Sequence, residues 1–174
     1  MKWPSYTQEE INKVSEVIKS GKVNYWTGNE VKKFEKEFSN FIGNKYSIAV
    51  CNATLALEAS LLALNIGKGD EVITTPRSYN ASASCILKVG AKPVFADIEI
   101  ETQNISVVDI KKKISNKTKA IICVHLGGTP CDITKIKEIA KKRGIKLIED
   151  CSQAHGAKYK NKYVGSFSDI AVWS

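Results

Sequence analysis

Three short stretches hold the residue types that could do chemistry, and each follows an apolar run and opens toward a helical pattern. The first is Cys51-Asn52-Ala53-Thr54, which follows Ile48-Ala49-Val50 and leads directly into Leu55-Ala56-Leu57. Backbone N–H groups and a hydroxyl at a helix start form an anion site; the plainer role is a helix cap by Asn52 or Thr54. The second is Thr74-Thr75-Pro76-Arg77-Ser78-Tyr79-Asn80, where an aromatic ring just beyond a strand either stacks on a planar ligand or packs under a loop. The third is the most informative. Lys146-Leu147-Ile148-Glu149 delivers Asp150, followed by Cys151-Ser152-Gln153-Ala154-His155-Gly156-Ala157. A carboxylate where an apolar strand ends is costly unless paired, so Asp150 either faces a ligand cation or serves as a cap or turn. The chain has no GxGxxG and no GxxxxGK[ST], which weighs against dinucleotide and ATP binding.

Positioning these stretches requires alternating strands and helices. Thr7 with Glu10 makes a capping box, and Ile11, Val14, Val17 and Ile18 then recur at helical spacing up to Gly21. A second helix carries Val31, Phe34, Phe38 and Phe41 on one face. Strands are predicted at Tyr46–Val50, Glu71–Thr75, Pro93–Asp97, Ala120–Val124, Ile145–Glu149 and Asp169–Trp173. Helices are predicted at Leu55–Leu64, Ala81–Val89, Val107–Ile114 and Ile133–Lys142. Such alternation implies an α/β domain with parallel pairing, and in such sheets ligands bind at the carboxyl ends of the strands.

The chain of 174 residues is long enough for one well-buried domain. No run approaches the roughly 18 apolar residues of a membrane span, and the first residues are not a signal-peptide core. Cys51, Cys85, Cys123, Cys131 and Cys151 form no CxxC pair; they read as buried free thiols of a cytoplasmic protein. A metal is not expected, because neither histidine, His125 nor His155, has a ligand partner at metal spacing in the sequence. The net charge of +8 comes almost wholly from lysine, with Arg77 and Arg143 the only arginines. Without a nucleic-acid motif this reads as a solvated basic surface, part of which could draw in an anionic substrate.

Seven stretches carry a family resemblance. They are Tyr25-Trp26-Thr27-Gly28, Asn52-Ala53-Thr54-Leu55-Ala56-Leu57, Gly67-Lys68-Gly69-Asp70-Glu71-Val72-Ile73, Gly90-Ala91-Lys92-Pro93-Val94-Phe95-Ala96-Asp97, Val124-His125-Leu126-Gly127-Gly128, Ile148 to Ala157, and Gly165-Ser166-Phe167-Ser168-Asp169. In this order and spacing the chain resembles the DegT/DnrJ/EryC1/StrS family of pyridoxal-phosphate (PLP) nucleotide-sugar aminotransferases. The resemblance implies a three-layer α/β/α fold with a mostly parallel sheet, that of the type I (aspartate aminotransferase) large domain. It assigns Ala53 and Thr54 to the cofactor phosphate, where the family has Gly-Thr. Tyr79 would stack on the pyridine ring, Asp150 would pair with its nitrogen and Gln153 would contact its 3-oxygen. Ser174 would bind the phosphate, and Trp26, Thr27 and Gly28 would lie near the substrate and the dimer surface.

The implied activity moves an amino group from an amino acid, with glutamate the expected donor, to a keto group of a nucleotide-linked sugar. This would serve amino-sugar and surface-polysaccharide biosynthesis in a cytoplasmic homodimer that binds neither nucleic acid nor membrane. Family members place a Schiff-base lysine about five residues beyond the serine that Ser174 matches. Residues 1–174 are therefore expected to be the N-terminal part of the large domain, truncated before the catalytic lysine, a last strand and the C-terminal domain. That last strand would lie between Tyr46–Val50 and the rest of the sheet, so a gap is expected there and the fragment alone is expected to be inactive. Alternatives are a PLP-dependent sugar dehydratase, with histidine in place of the lysine, and a non-catalytic fragment acting through chain pairing.

Overall fold

The computed structural model describes residues 4–174. The chain divides into two compact units, one ending at Ala49 and the other running from Val50 to Ser174. The first unit holds two helices. In α1 (Gln8–Ser20) the capping box forms as its sequence demands: the Glu10 amide donates to Thr7 Oγ1 at 3.2 Å, and the Thr7 amide donates to Glu10 Oε2 at 2.6 Å. The helix stops at Gly21, whose φ of 67° is a left-handed cap. In α2 (Glu30–Ile42) the predicted aromatic stripe is continuous, with Phe34–Phe38 and Phe38–Phe41 ring centroids 5.5 and 6.4 Å apart.

The second unit alternates α3 (Ala53–Ala63), β1 (Glu71–Thr74), α4 (Ala81–Lys88), β2 (Lys92–Phe95), α5 (Val107–Lys113), β3 (Thr118–Val124), α6 (Ile133–Arg143) and β4 (Lys146–Asp150). A hairpin, β5 (Lys158–Tyr159) and β6 (Lys162–Tyr163), comes before β7 (Ile170–Val172). Five strands form one sheet in the order β2-β1-β3-β4-β7, and every pairing in it is parallel. Parallel strands are covered on both faces, and the period of two divides their side chains between two cores. Ala120, Ile122 and Ile148 pack with Leu57, Leu61 and Ile86 of α3 and α4. Ile121, Cys123 and Leu147 pack with Ile110 of α5 and with Ile133 and Ile136 of α6. Each fully buried Leu or Ile contributes about 1.5–3 kcal/mol, so this double core holds the strand ends in place.

One expectation needs correction, and one element was not expected. Tyr46–Val50 is not a strand: it joins no ladder among the described residues, and Tyr46, Ile48 and Val50 are 74%, 82% and 48% exposed. Its polar groups turn to α2 instead, where the Ser47 hydroxyl donates to the Glu35 carbonyl and the Ala49 amide donates to Glu35 Oε1 at 2.9 Å. A strand exists only as part of a pair, and no described segment pairs with this one. The β5–β6 hairpin, in turn, was not foreseen. Lys160 and Asn161 take φ of 48° and 64°, the two left-handed residues of a tight type I′ turn, without the Asn-Gly pair that usually marks one.

Candidate functional site

All three stretches singled out for their chemistry reach one cleft. A cavity of about 520 Å³ lies at the carboxyl ends of the parallel strands, lined by Asn52, Ala53, Thr54, Tyr79, Asp150 and Gln153, with Ser152 and Ser174 completing its wall. A hollow of about 350 Å³ lies by Lys146 and Asp169, where β4 begins and just ahead of β7. Those two side chains already pair with each other at 2.9 Å. Ligand sites of open α/β sheets lie at carboxyl ends, so the first cavity is the candidate.

One end of the cleft is a helix start. Asn52 is extended at the N-cap of α3, and its Oδ1 accepts the Leu55 amide at 3.0 Å. The plain capping role is thus filled by Asn52, and the Ala53 and Thr54 amides, which precede any helical acceptor, stay available with the Thr54 hydroxyl. Ala53 is buried in the core beside Leu57. Ser174, two residues after β7, lines the same cleft.

Asp150, the last residue of β4 and only 6% exposed, lines the same cleft. Its Oδ1 accepts from the Ser152 amide at 3.1 Å and the Ser152 hydroxyl at 2.6 Å. Its second oxygen is left to face the cleft, so this carboxylate is half satisfied by the protein and suited to an N–H donor of a ligand. Ser152 was not singled out from sequence, although an Asp followed two residues later by Ser is a recognisable side-chain-to-backbone turn. Tyr79 is 75% exposed, which excludes the core-packing role and leaves its ring open at the cleft wall. Gln153 Oε1 accepts the Gly127 amide at 2.7 Å, which fixes the side chain and frees its Nε2 to donate. Gly127 reaches that position with φ of 59° in the short turn Leu126–Gly128.

Behind Asp150, on the opposite face of β4, lies a buried pair that sequence spacing does not show. His125 and Glu149 are both fully buried, with His125 Nε2 3.0 Å from Glu149 Oε1. The Cys131 amide donates to His125 Nδ1 at 3.0 Å, so the ring proton sits on Nε2 and is donated to Glu149. Glu149 also accepts the Gly165 amide at 2.8 Å and the Phe167 amide at 3.1 Å. Burial pushes its carboxyl up, but the hydrogen bonds from His125 and Gly165 outweigh it and hold the carboxyl below the usual range. Cys151 joins His125 and Glu149 in a group whose ligand atoms lie within 4.8 Å of one another, a proximity of metal-site size that a spacing of 24 residues conceals. The hydrogen bonds account for both ring nitrogens and both carboxylate oxygens, so the group reads as a satisfied polar network.

Trp26, Thr27 and Gly28 belong to the first unit and form a turn of their own. Asn24 Oδ1 accepts the Trp26 and Thr27 amides, each at 3.0 Å, and the Thr27 hydroxyl at 3.1 Å. A Cβ on Gly28 would lie 2.3 Å from the Lys22 carbonyl oxygen, so only glycine fits there. Trp26 is 88% exposed on this turn. Of the five free thiols only Cys51 is exposed. No helix is long and apolar enough to cross a membrane among the described residues.

The cleft therefore brings together unpaired helix-start amides, an open aromatic ring and a carboxylate with one oxygen held by Ser152. Comparison with known proteins places the chain in a family. Residues 4–174 match the family described as DegT/DnrJ/EryC1/StrS aminotransferases. GDP-perosamine synthase of Escherichia coli O157:H7 is 48% identical over 171 residues, covering 98% of this chain and 47% of that protein. The aminotransferase from Psychrobacter cryohalolentis superposes with a TM-score of 0.98 at 50% identity, covering 100% of this chain and 44% of that one. The PLP form of Spr1654 from Streptococcus pneumoniae gives 0.92 at 33% identity, covering 98% of this chain and 47% of that one. The chain thus spans slightly less than half the length of the relatives it matches. By the extent of these matches, over a parallel sheet and a cleft of this kind, the chain belongs to the DegT/DnrJ/EryC1/StrS aminotransferase family.

Proposed function

We propose that this chain is the N-terminal part of the cofactor-binding large domain of a PLP-dependent sugar aminotransferase. The whole protein would transfer an amino group from an amino acid, with glutamate the donor, to a keto group of a nucleotide-linked sugar. The single observation that carries the reading is Asp150: a buried carboxylate at a strand's carboxyl end, with one oxygen held by Ser152 and the other turned to the cleft. When bound, PLP supplies the electron sink that makes such a transfer possible at neutral pH.

The residues of this chain would bind and orient that group. The first-turn amides of Ala53 and Thr54, the Thr54 hydroxyl and Ser174 would hold the phosphate, because unpaired helix N–H groups attract anions. Asp150 would keep a proton at the pyridine nitrogen, and Ser152 would fix which carboxylate oxygen does so. Tyr79 would cover one face of the ring and keep water from it. Gln153, oriented by the Gly127 amide, would donate from Nε2 to the 3-oxygen. Trp26, Thr27 and Gly28 would meet the sugar nucleotide at a homodimer surface. The GDP-sugar name of the Escherichia coli relative supports a nucleotide-linked substrate. No residue of 1–174 is assigned as the Schiff-base lysine.

The test is made on the full-length protein. Loaded with PLP, it is incubated with glutamate and a panel of nucleotide-linked keto sugars, and the aminated sugar is followed by mass spectrometry. Amination of at least one sugar nucleotide, lost on dialysis of PLP and restored by its return, is expected. Retention of PLP with amination of none of them would overturn the substrate class. Failure to bind PLP would overturn the cofactor.

A further inference from the structure

Two adjacent carboxylates on β4 point to opposite faces of the sheet. Asp150 faces the cleft, whereas Glu149 is enclosed on the far side with 0% exposure. The proposed function uses the first and leaves the second without a role. A fully buried carboxylate is expensive, and this one is stabilised by donors from two separate places in the chain. His125 follows the end of β3, while the Gly165 and Phe167 amides belong to the loop that leads into β7. That loop and β7 are joined to β4 and the residue after it at further points. The Leu147 amide donates to Asp169 Oδ2 at 2.9 Å, and the Cys151 amide donates to the Val172 carbonyl at 2.7 Å. The strand so placed delivers Ser174 to the cleft, while β4 itself delivers Asp150.

We propose that Glu149 is a positioning residue of the cleft: it ties the β4 end that carries Asp150 to the loop that aims β7, and so sets the separation between Asp150 and Ser174. A ligand held at both ends needs that separation, whereas a ligand held at one end does not. The inference rests on the proposed binding of PLP between these two residues. His125 acts through Glu149, with its ring oriented by the Cys131 amide and its proton given to the carboxylate.

The experiment uses the full-length protein freed of cofactor and three variants, Glu149→Gln, His125→Gln and Ile136→Ala. Ile136 is fully buried in the core under α6, away from the cleft, and serves as a control for lost stability alone. Folding is checked by circular dichroism and thermal melting. Binding of PLP is titrated directly, and binding of inorganic phosphate by its competition with PLP. Glu149→Gln is expected to weaken PLP at least tenfold while inorganic phosphate binds as before. His125→Gln is expected to move PLP in the same direction by less, because both amide donors to Glu149 remain; it also carries the test if Glu149→Gln does not fold. Ile136→Ala is expected to melt earlier with unchanged PLP affinity. Unchanged PLP affinity in both polar variants would make Glu149 merely structural, and an equal loss of phosphate and PLP would mean that β7 is displaced outright; either result overturns the proposal. If the unmutated protein binds no PLP, the functional reading fails first and this inference with it.

Discussion

Replacing Asp150 by asparagine separates the two things this side chain does. The Ser152 amide and hydroxyl both donate to one oxygen, and the carbonyl of asparagine accepts the same two bonds. The fold should therefore keep its stability within about 0.5 kcal/mol, the usual range for a change that breaks no native contact. The other oxygen, an acceptor facing the cleft, becomes an NH2 donor. A ring N–H would lose a charge-assisted hydrogen bond worth about 1.5–3 kcal/mol and meet a donor instead. At about 1.4 kcal/mol per factor of ten, PLP should bind about 10- to 150-fold more weakly. Turnover depends on the same ring proton and should fall at least as far. The assay is paired: thermal melting of the cofactor-free full-length protein beside a PLP titration and a transamination rate. A melting temperature that drops by several degrees with PLP affinity and turnover intact would show Asp150 to be a turn residue, and the cleft would lose its central argument.

Three further perturbations test other parts of the structure. Tyr79→Phe should retain PLP on dialysis of the full-length protein, whereas Tyr79→Ala should lose it several-fold faster, since ring stacking is worth about 0.5–1.5 kcal/mol; equal loss from both would implicate the hydroxyl. Gly165→Ala should cost about 2–4 kcal/mol in urea unfolding, because a Cβ there would sit 2.1 Å from Trp173 Cζ2 on a backbone with φ of 85°, and wild-type stability would show that the Trp173 ring is not held there. Glu149 and Asp169 both titrate below their ordinary values in the folded state, each against the upward pull of its burial, the first through His125 and the Gly165 amide and the second through the Leu147 amide and Lys146. A depressed carboxyl stabilises the fold above its unfolded pKa and loses that contribution as pH falls through the folded value, so the melting temperature should drop on acidification from about pH 5 to about pH 3. A flat profile there would mean that neither group is held as the structure has it.

The sequence made the sheet legible because the strands are short apolar runs between clear helical periods. Their boundaries shifted by one or two residues, and at Asp150 the shift matters. The run was read as ending at Glu149, but Asp150 still pairs with Val124 and is the last residue of β4. Most cleft residues were legible for the same reason: Tyr79, Asp150, Gln153 and Ser174 lie at or just beyond strand ends, and Asn52, Ala53 and Thr54 open a helix, so order along the chain maps onto one edge of the sheet. Tyr46–Val50 misled because alternating Tyr46, Ile48 and Val50 have strand composition, while forming a strand depends on a partner that local sequence does not record. The His125–Glu149 pair was invisible for a related reason. Only the register of β3 against β4 brings residues 24 apart within a hydrogen bond of each other.

Ala53 shows why one departure from the family pattern is tolerable here and others would not be. The family carries Gly-Thr where this chain has Ala53-Thr54, and a methyl group beside a phosphate site could block close approach. In the structure Ala53 is 7% exposed and packs in the core cluster with Leu57 and Leu61. Its amide points where the helix axis dictates, whatever side chain it carries, because the first-turn N–H groups are fixed by the backbone of α3. Alanine also suits a first helical turn better than glycine, which loses more backbone freedom on folding. Anion binding by backbone amides therefore leaves side-chain identity free to serve the core. Binding by a side chain, the role proposed for Asp150, has no such freedom, since there the charge itself would make the contact.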